Sequence, residues 1–235
     1  MTRASRLDPV FDTLRERLLA MPGLAESAAT GPSDPSSSSG ASAQTPGPAG
    51  ARVIALMSRV GGEGVTTVAV GLARSLARVG SQRTLLIDHD SSRHGAAARL
   101  GVSPRAFAGW PAQDSASALI DAVVDIEPGR LGLLNLGHDL PSGFANDRWW
   151  ASAYAALRQC HGLVLVDTGS MRQPLALRWA RLADLRLLVL DTGRTTTEEL
   201  ERLKVEWQTS GQTLDAVVLS KRDYPVPGFL YRHVR

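Results

Sequence analysis

The apolar run Val53–Met57 passes without a break into the glycine-rich segment SRVGGEGVTT, and beyond it Val68, Leu72, Leu76 and Val79 recur at helical spacing. Strand, glycine-rich loop and helix in direct succession form a layout that binds phosphate, because the loop's backbone N–H groups and the positive end of the helix dipole face one point. Gly61, Gly62 and Gly64 permit unusual backbone angles and close approach of an anion. The predicted cradle is Gly62, Gly64, Val65, Thr66 and Thr67, with Thr66 where the magnesium-binding hydroxyl of such a loop belongs.

The same alternation of short apolar runs and amphipathic stretches continues down the chain. Strands are predicted at Val53–Met57, Thr84–Asp88, Leu131–Leu136, Leu163–Asp167, Leu185–Leu190 and Ala216–Leu219. Helices are predicted at Thr67–Val79, Asn146–Gln159, Pro174–Leu182 and Thr195–Thr209. Continuous apolar strands alternating with helices indicate an α/β fold, a mostly parallel sheet covered on both faces, over residues 51–235. Upstream, residues 8–21 place Val10, Phe11, Leu14, Leu18 and Met21 near one helix face, so residues 1–25 are read as an amphipathic helical arm. Between arm and domain, residues 26–50 are nearly all Ala, Ser, Pro, Gly and Thr. Such a segment buries too little apolar surface to offset its ordering entropy, so a disordered linker is expected and the helix is expected to be tethered apart from the core.

Composition narrows the function. No apolar run approaches the roughly 20 residues that span a bilayer. Charges at Asp8, Asp12, Arg15, Glu16 and Arg17 break up any signal-peptide-like stretch. The single cysteine, Cys160, excludes an internal disulfide and a cysteine-based zinc cluster. A cytoplasmic protein is expected. The net charge of +3 comes without a basic block interleaved with aromatics, so no nucleic-acid partner is expected.

Two later strands end in acid. Asp88 and Asp90 follow the run TLLI, and Asp167 ends LVLV. A strand-end aspartate serves equally well as a turn or capping residue. Placed at the carboxyl ends of parallel strands behind a phosphate-loop layout, the acids also line the crevice where such sheets bind ligands. His89 and His94 beside them match no familiar metal spacing.

These motifs carry a family resemblance over residues 51–235. GGEGVTTVAVGLARSLA resembles the GEGKST-plus-helix stretch of the bacterial tyrosine kinases that serve polysaccharide export, relatives of MinD/ParA-type P-loop ATPases. IDHDSSR resembles their strand ending in DADLR, LVLVDTGS their Walker B strand, and LDAVVLSKRD their strand ending near LNRVD. The resemblance implies a P-loop NTPase-like fold that uses ATP or ADP with magnesium held by Thr66, Asp88 and Asp167. In an active member Asp88, Asp90 and Asp167 would be the catalytic acids.

The departures from that pattern are as informative as the matches. Val65 stands where the family has its P-loop lysine, and Val60 where MinD-type proteins have a second. Ser92 replaces an arginine, and Ser220 replaces the asparagine that contacts adenine. Arg59 is the one alternative cation within the loop. The tail holds only Tyr224 and Tyr231 rather than a tyrosine cluster. The helix at 8–21 lacks the family's Glu-and-two-Arg assembly signature, since Pro9 and Asp12 take two of its positions when Arg15 is aligned. A P-loop lysine neutralises β- and γ-phosphate charge, and its loss costs roughly 100-fold to 1000-fold in rate.

The resemblance therefore implies a pseudokinase regulator of capsule, exopolysaccharide or holdfast synthesis and export. It would work at the inner membrane through a polysaccharide co-polymerase, either as a homo-oligomer or alone, with or without bound nucleotide. Two alternatives stay open: an active tyrosine autokinase or ATPase, and a MinD/ParA-like positioning protein.

Overall fold

Period decides which residues become sheet. In the computed structural model, which describes residues 8–21, 52–80, 82–89, 94–103, 116–137, 147–209, 211 and 213–221, the apolar runs form one seven-stranded sheet. Its strands are β1 (Arg52–Ser58), β2 (Thr84–Asp88), β3 (Val124–Glu127), β4 (Leu131–Asn135), β5 (Leu163–Ser170), β6 (Leu185–Asp191) and β7 (Ala216–Ser220). They lie in the order β3-β4-β2-β5-β1-β6-β7. Every pairing is parallel except β3 with β4. The helices are α1 (Asp8–Leu19), α2 (Val65–Val79), α3 (Ala96–Leu100), α4 (Ala116–Asp121), α5 (Asp147–Cys160), α6 (Pro174–Leu182) and α7 (Thr197–Thr209).

All six predicted strands are present. The sequence reading missed β3, a four-residue antiparallel edge strand in which Asp125 and Glu127 leave no apolar run to detect. It also missed α3 and α4, which are too short to show a helical period. The expected linker at 26–50, Asp90, Ser92, Tyr224 and Tyr231 lie outside the described residues.

Alternation along β1 divides the core. Ile54 and Leu56 face one apolar layer with Leu72 and Leu76 of α2, while Val53, Ala55 and Met57 face the other with Trp179 of α6 and Trp207 of α7. A strand buried on both sides can carry no polar face, and this accounts for the unbroken run in the sequence.

The helical arm corrects an expectation. Rather than being tethered apart from the core, α1 packs along α2: Leu18 is 2% exposed and belongs to the same layer as Leu72. The Phe11 ring lies over Gly71, so close that a Cβ there would sit 2.2 Å from it. Polar groups complete the seam. Buried Arg15 donates to the Ser75 hydroxyl at 3.0 Å, and that hydroxyl donates to Asp12 at 2.6 Å. Chiefly through the Ser75 hydrogen bond, Asp12 is held below the ordinary carboxylate value of 3.8.

One buried group ties stability to pH. His161, just after α5, is 5% exposed, its Nδ1 lies 3.1 Å from the Leu157 carbonyl, and burial pushes its pKa below 6.5. A group whose folded pKa is depressed contributes stability fully above its unfolded value and loses it as the pH falls toward the folded one. Stability should therefore decline as the pH drops below about 6.5. Urea unfolding from pH 7.5 to 5.5 should show this slope, and His161→Gln should flatten it. An identical slope in the variant would assign the decline to other groups.

Candidate nucleotide site

The strand order places the site. From β1 the chain crosses to β2 on one side, whereas β5 leads by way of α6 to β6 on the other, so a crevice opens at the carboxyl ends of β1 and β5. Neighbouring strands end there in register. Asp88 pairs with Asp167 across β2 and β5, and Asp191 pairs with Ser220 across β6 and β7.

Between β1 and α2 the loop turns through two positive backbone angles, Gly62 at φ 85 and Gly64 at φ 100. Side-chain-bearing residues are strained there, so these two glycines are required by the turn itself. Gly64 also occupies the N-cap of α2 without a side-chain cap, and no acid lies in the first turn. The first N–H groups of the helix thus open into the crevice uncapped, as an anion site needs.

The crevice, about 350 Å³, is lined by all five predicted cradle residues, Gly62, Gly64, Val65, Thr66 and Thr67, and by Asp88 and Asp167. Thr66 and the two acids thereby share one cavity. Both carboxylates are buried, and both also do the local work that strand-end aspartates do. Asp88 Oδ2 accepts from the backbone N–H of Ala96 at 2.7 Å, and Asp167 Oδ1 accepts from Gly169 at 3.0 Å. These local bonds leave both acids on the wall of the crevice.

The residues fit a polyphosphate with magnesium in most respects. Magnesium is commonly held by one or two carboxylates, a hydroxyl and the phosphates themselves, and the side chains lining this cavity can supply the protein's share. Among the described residues no cluster of three or more His, Cys, Asp or Glu could hold a metal by itself. His89 is a packed core residue, its Nε2 accepting from Trp179 Nε1 at 2.6 Å.

The side chain at position 65 is the misfit. Val65 opens α2, is 5% exposed, and packs with Val68 and Ala69 while one side of it borders the crevice. Arg59, the alternative cation of the sequence reading, does not line the crevice. It pairs with Glu199 at 3.2 Å on a separate groove beside Met171 and Trp207.

Three residues hold the loop in shape: Glu63 and Lys221, which the sequence reading passed over, and Ser220, which it read only as a replaced base contact. Glu63 is fully buried and staples it, accepting from the N–H of Val60 and from the Thr195 hydroxyl, each at 3.0 Å. Ser220 donates its hydroxyl to the carbonyl of Glu63. Lys221 donates to the carbonyl of Gly62 at 2.6 Å and to Asp191 at 2.9 Å, and it lines the crevice. The signal was faint but present: the chain has only two lysines, and this one follows the ligand-side end of the last strand.

A mostly parallel sheet whose first strand feeds a glycine loop at a switch point is the fold of P-loop proteins of the MinD/ParA type. MinD from Aquifex aeolicus superposes with a TM-score of 0.57 at 20% identity, over 78% of this chain and 73% of that one. In sequence the chain is also similar to bacterial tyrosine kinases. It is 27% identical over 179 residues to the tyrosine-protein kinase CpsD of Streptococcus pneumoniae, which spans 74% of this chain and 78% of that protein. The VpsO kinase domain superposes with a TM-score of 0.56 at 27% identity, covering 74% and 86%. No protein-family model matches the chain.

Proposed function

We propose that this chain is a nucleotide-binding, catalytically silent or feeble member of the tyrosine-kinase family that regulates bacterial polysaccharide synthesis and export. The carrying observation is the combination at one crevice: a formed glycine loop, Thr66, Asp88 and Asp167 are together, yet Val65 stands at the mouth of the helix where the catalytic lysine belongs. Bound magnesium-ATP would bring a transferable γ-phosphoryl group. The chain's own residues would hold its phosphates on the α2 N-terminus and its metal on Thr66, Asp88 and Asp167. Without a lysine to follow charge on the transferring group, transition-state stabilisation falls while ground-state binding through backbone donors survives.

Regulation without catalysis gives the chain a docking role, and the partner proposed is the cytoplasmic end of a membrane polysaccharide co-polymerase. Among the described residues no helix is long and apolar enough to cross a membrane, in keeping with recruitment by such a partner. Polysaccharide export rests on kinship with the tyrosine kinases, and the glycan is left open.

An active autokinase is the second reading, favoured by one observation: Lys221 places a cation at the loop although Val65 does not. The two readings separate on incubation with magnesium-ATP followed by phosphotyrosine mass spectrometry. The proposed outcome is measurable binding with little or no tyrosine modification. Robust modification lost in Asp88→Asn would establish the active enzyme. Absence of nucleotide binding would remove both readings.

A further inference from the structure

We infer that Lys221 and Ser220, presented from the end of β7, are positioning residues that hold the loop in its anion-binding shape and stand in for the missing loop lysine. This rests on the reading of the crevice as a nucleotide site, and goes beyond it in naming what keeps the site competent. In a trans peptide the C=O and the following N–H point in opposite directions. Lys221 Nζ holds the carbonyl of Gly62 at 2.6 Å, and the Ser220 hydroxyl holds the carbonyl of Glu63. Those two contacts turn the N–H groups of Glu63 and Gly64 away from β7, in the sense an anion cradle requires.

Charge adds to orientation. An ammonium on a carbonyl polarises that peptide and makes its N–H a better donor. Lys221 therefore acts on a bound anion through the Gly62–Glu63 peptide without occupying position 65. Asp191 completes the device. It accepts from Lys221 at 2.9 Å and from the N–H of Gly193 at 3.0 Å, and these two bonds, the lysine's first, hold its carboxyl below 3.8. An ionised, backbone-anchored carboxylate fixes the lysine's direction.

The backbone shows that the placement is specific. Lys221 is the non-glycine residue with positive φ among the described residues, at 49. Its own carbonyl accepts from Thr192 Oγ1 at 3.4 Å. Arg194 also approaches Gly62, its Nη1 3.6 Å from where a Cβ would stand, but it does not line the crevice. Lys221 does both.

The strained φ supplies a test that separates positioning from mere stability. Lys221→Gly relieves the backbone and removes the cation, so the thermal midpoint should stay within a few degrees of wild type. Binding should weaken nonetheless. The probe is inorganic tripolyphosphate with magnesium, which has no base and reports on the cradle alone, titrated calorimetrically into the full chain, with magnesium-ATP in parallel. Lys221→Gly and Lys221→Met should each lose roughly 10-fold or more in affinity for both probes, the value of one charge-assisted hydrogen bond. Lys221→Arg should recover most of it, and Ser220→Ala should lose less. If wild type binds and Lys221→Gly, folded, binds equally well, the inference is overturned while the nucleotide reading stands. If wild type binds neither probe, the nucleotide reading fails and takes this inference with it.

Discussion

Val65→Lys should raise affinity for magnesium-ATP roughly 10-fold to 100-fold, because a charged hydrogen bond to phosphate contributes about 1.5–3 kcal/mol. The position allows it. Val65 is the first residue of α2 and borders the crevice beside Thr66, so a lysine there can lay its stem along the helix and send its ammonium to the phosphates. The ligand-free protein should lose stability by contrast. Val65 is 5% exposed and packs into the α2 layer, and forcing a longer, charged side chain into that space costs about 1–3 kcal/mol. The thermal midpoint should fall by several degrees without nucleotide and recover at saturating ATP, since ligand that binds only the folded state stabilises it.

Phosphoryl transfer should recover less than binding, because Ser92 and Ser220 would remain substituted relative to the active family pattern. Calorimetric titration and thermal unfolding of the same samples give both halves. Tight wild-type binding that the new lysine does not improve would mean that the charge is already supplied, and Lys221 rather than Arg59 is the residue placed to supply it.

The second large effect lies at the seam between α1 and α2. Alanine normally stabilises a helix interior over glycine by about 0.8–1 kcal/mol. Here Gly71→Ala should destabilise, by about 1–3 kcal/mol, because its Cβ would lie 2.2 Å from the Phe11 ring. Phe11→Ala removes the obstruction at its own cost, and in that background Gly71→Ala should turn neutral or stabilising. The sign reversal is a coupling between two contacting residues, and a double-mutant cycle by chemical denaturation measures it. Additive effects would show that α1 does not rest on α2 in solution. A positive coupling would also explain Arg15, which is 8% exposed and bonded across the same seam to Ser75.

That seam shows where sequence reasoning stopped. An amphipathic pattern at 8–21 says that a helix has an apolar face, and nothing about where the face goes. The Ala/Ser/Pro/Gly stretch that follows gave a reason to set the arm apart. The receiving surface is a shallow trough made by Gly71 and Ser75 one turn apart on α2, residues that carry no hydrophobic signal of their own. Packing against small residues is written in shape, and shape appears only once both helices exist.

The strands were legible for the opposite reason. A parallel strand covered on both faces is apolar along its buried length, so β1, β2 and β5 announce themselves as unbroken runs, and β6 does so beyond Arg186. The glycine loop was legible because positive φ at Gly62 and Gly64 restricts the residue type. Asp88 and Asp167 could be named as a pair from their strand ends, and register then set them side by side. What the linear pattern could not give was the company the loop keeps. By sequence the loop has no lysine near it, and the reading of a loop without its lysine, with Arg59 as the alternative cation, followed directly. Sheet order carries β7 to the loop's flank, where Lys221, 159 residues away along the chain, bonds Gly62. Local chemistry determined the elements, the turn and the acids, because each is imposed by backbone geometry or burial within a few residues. Which charge sits against the glycine loop was decided by tertiary structure alone, since a hydrogen bond depends on separation in space and is indifferent to separation in sequence.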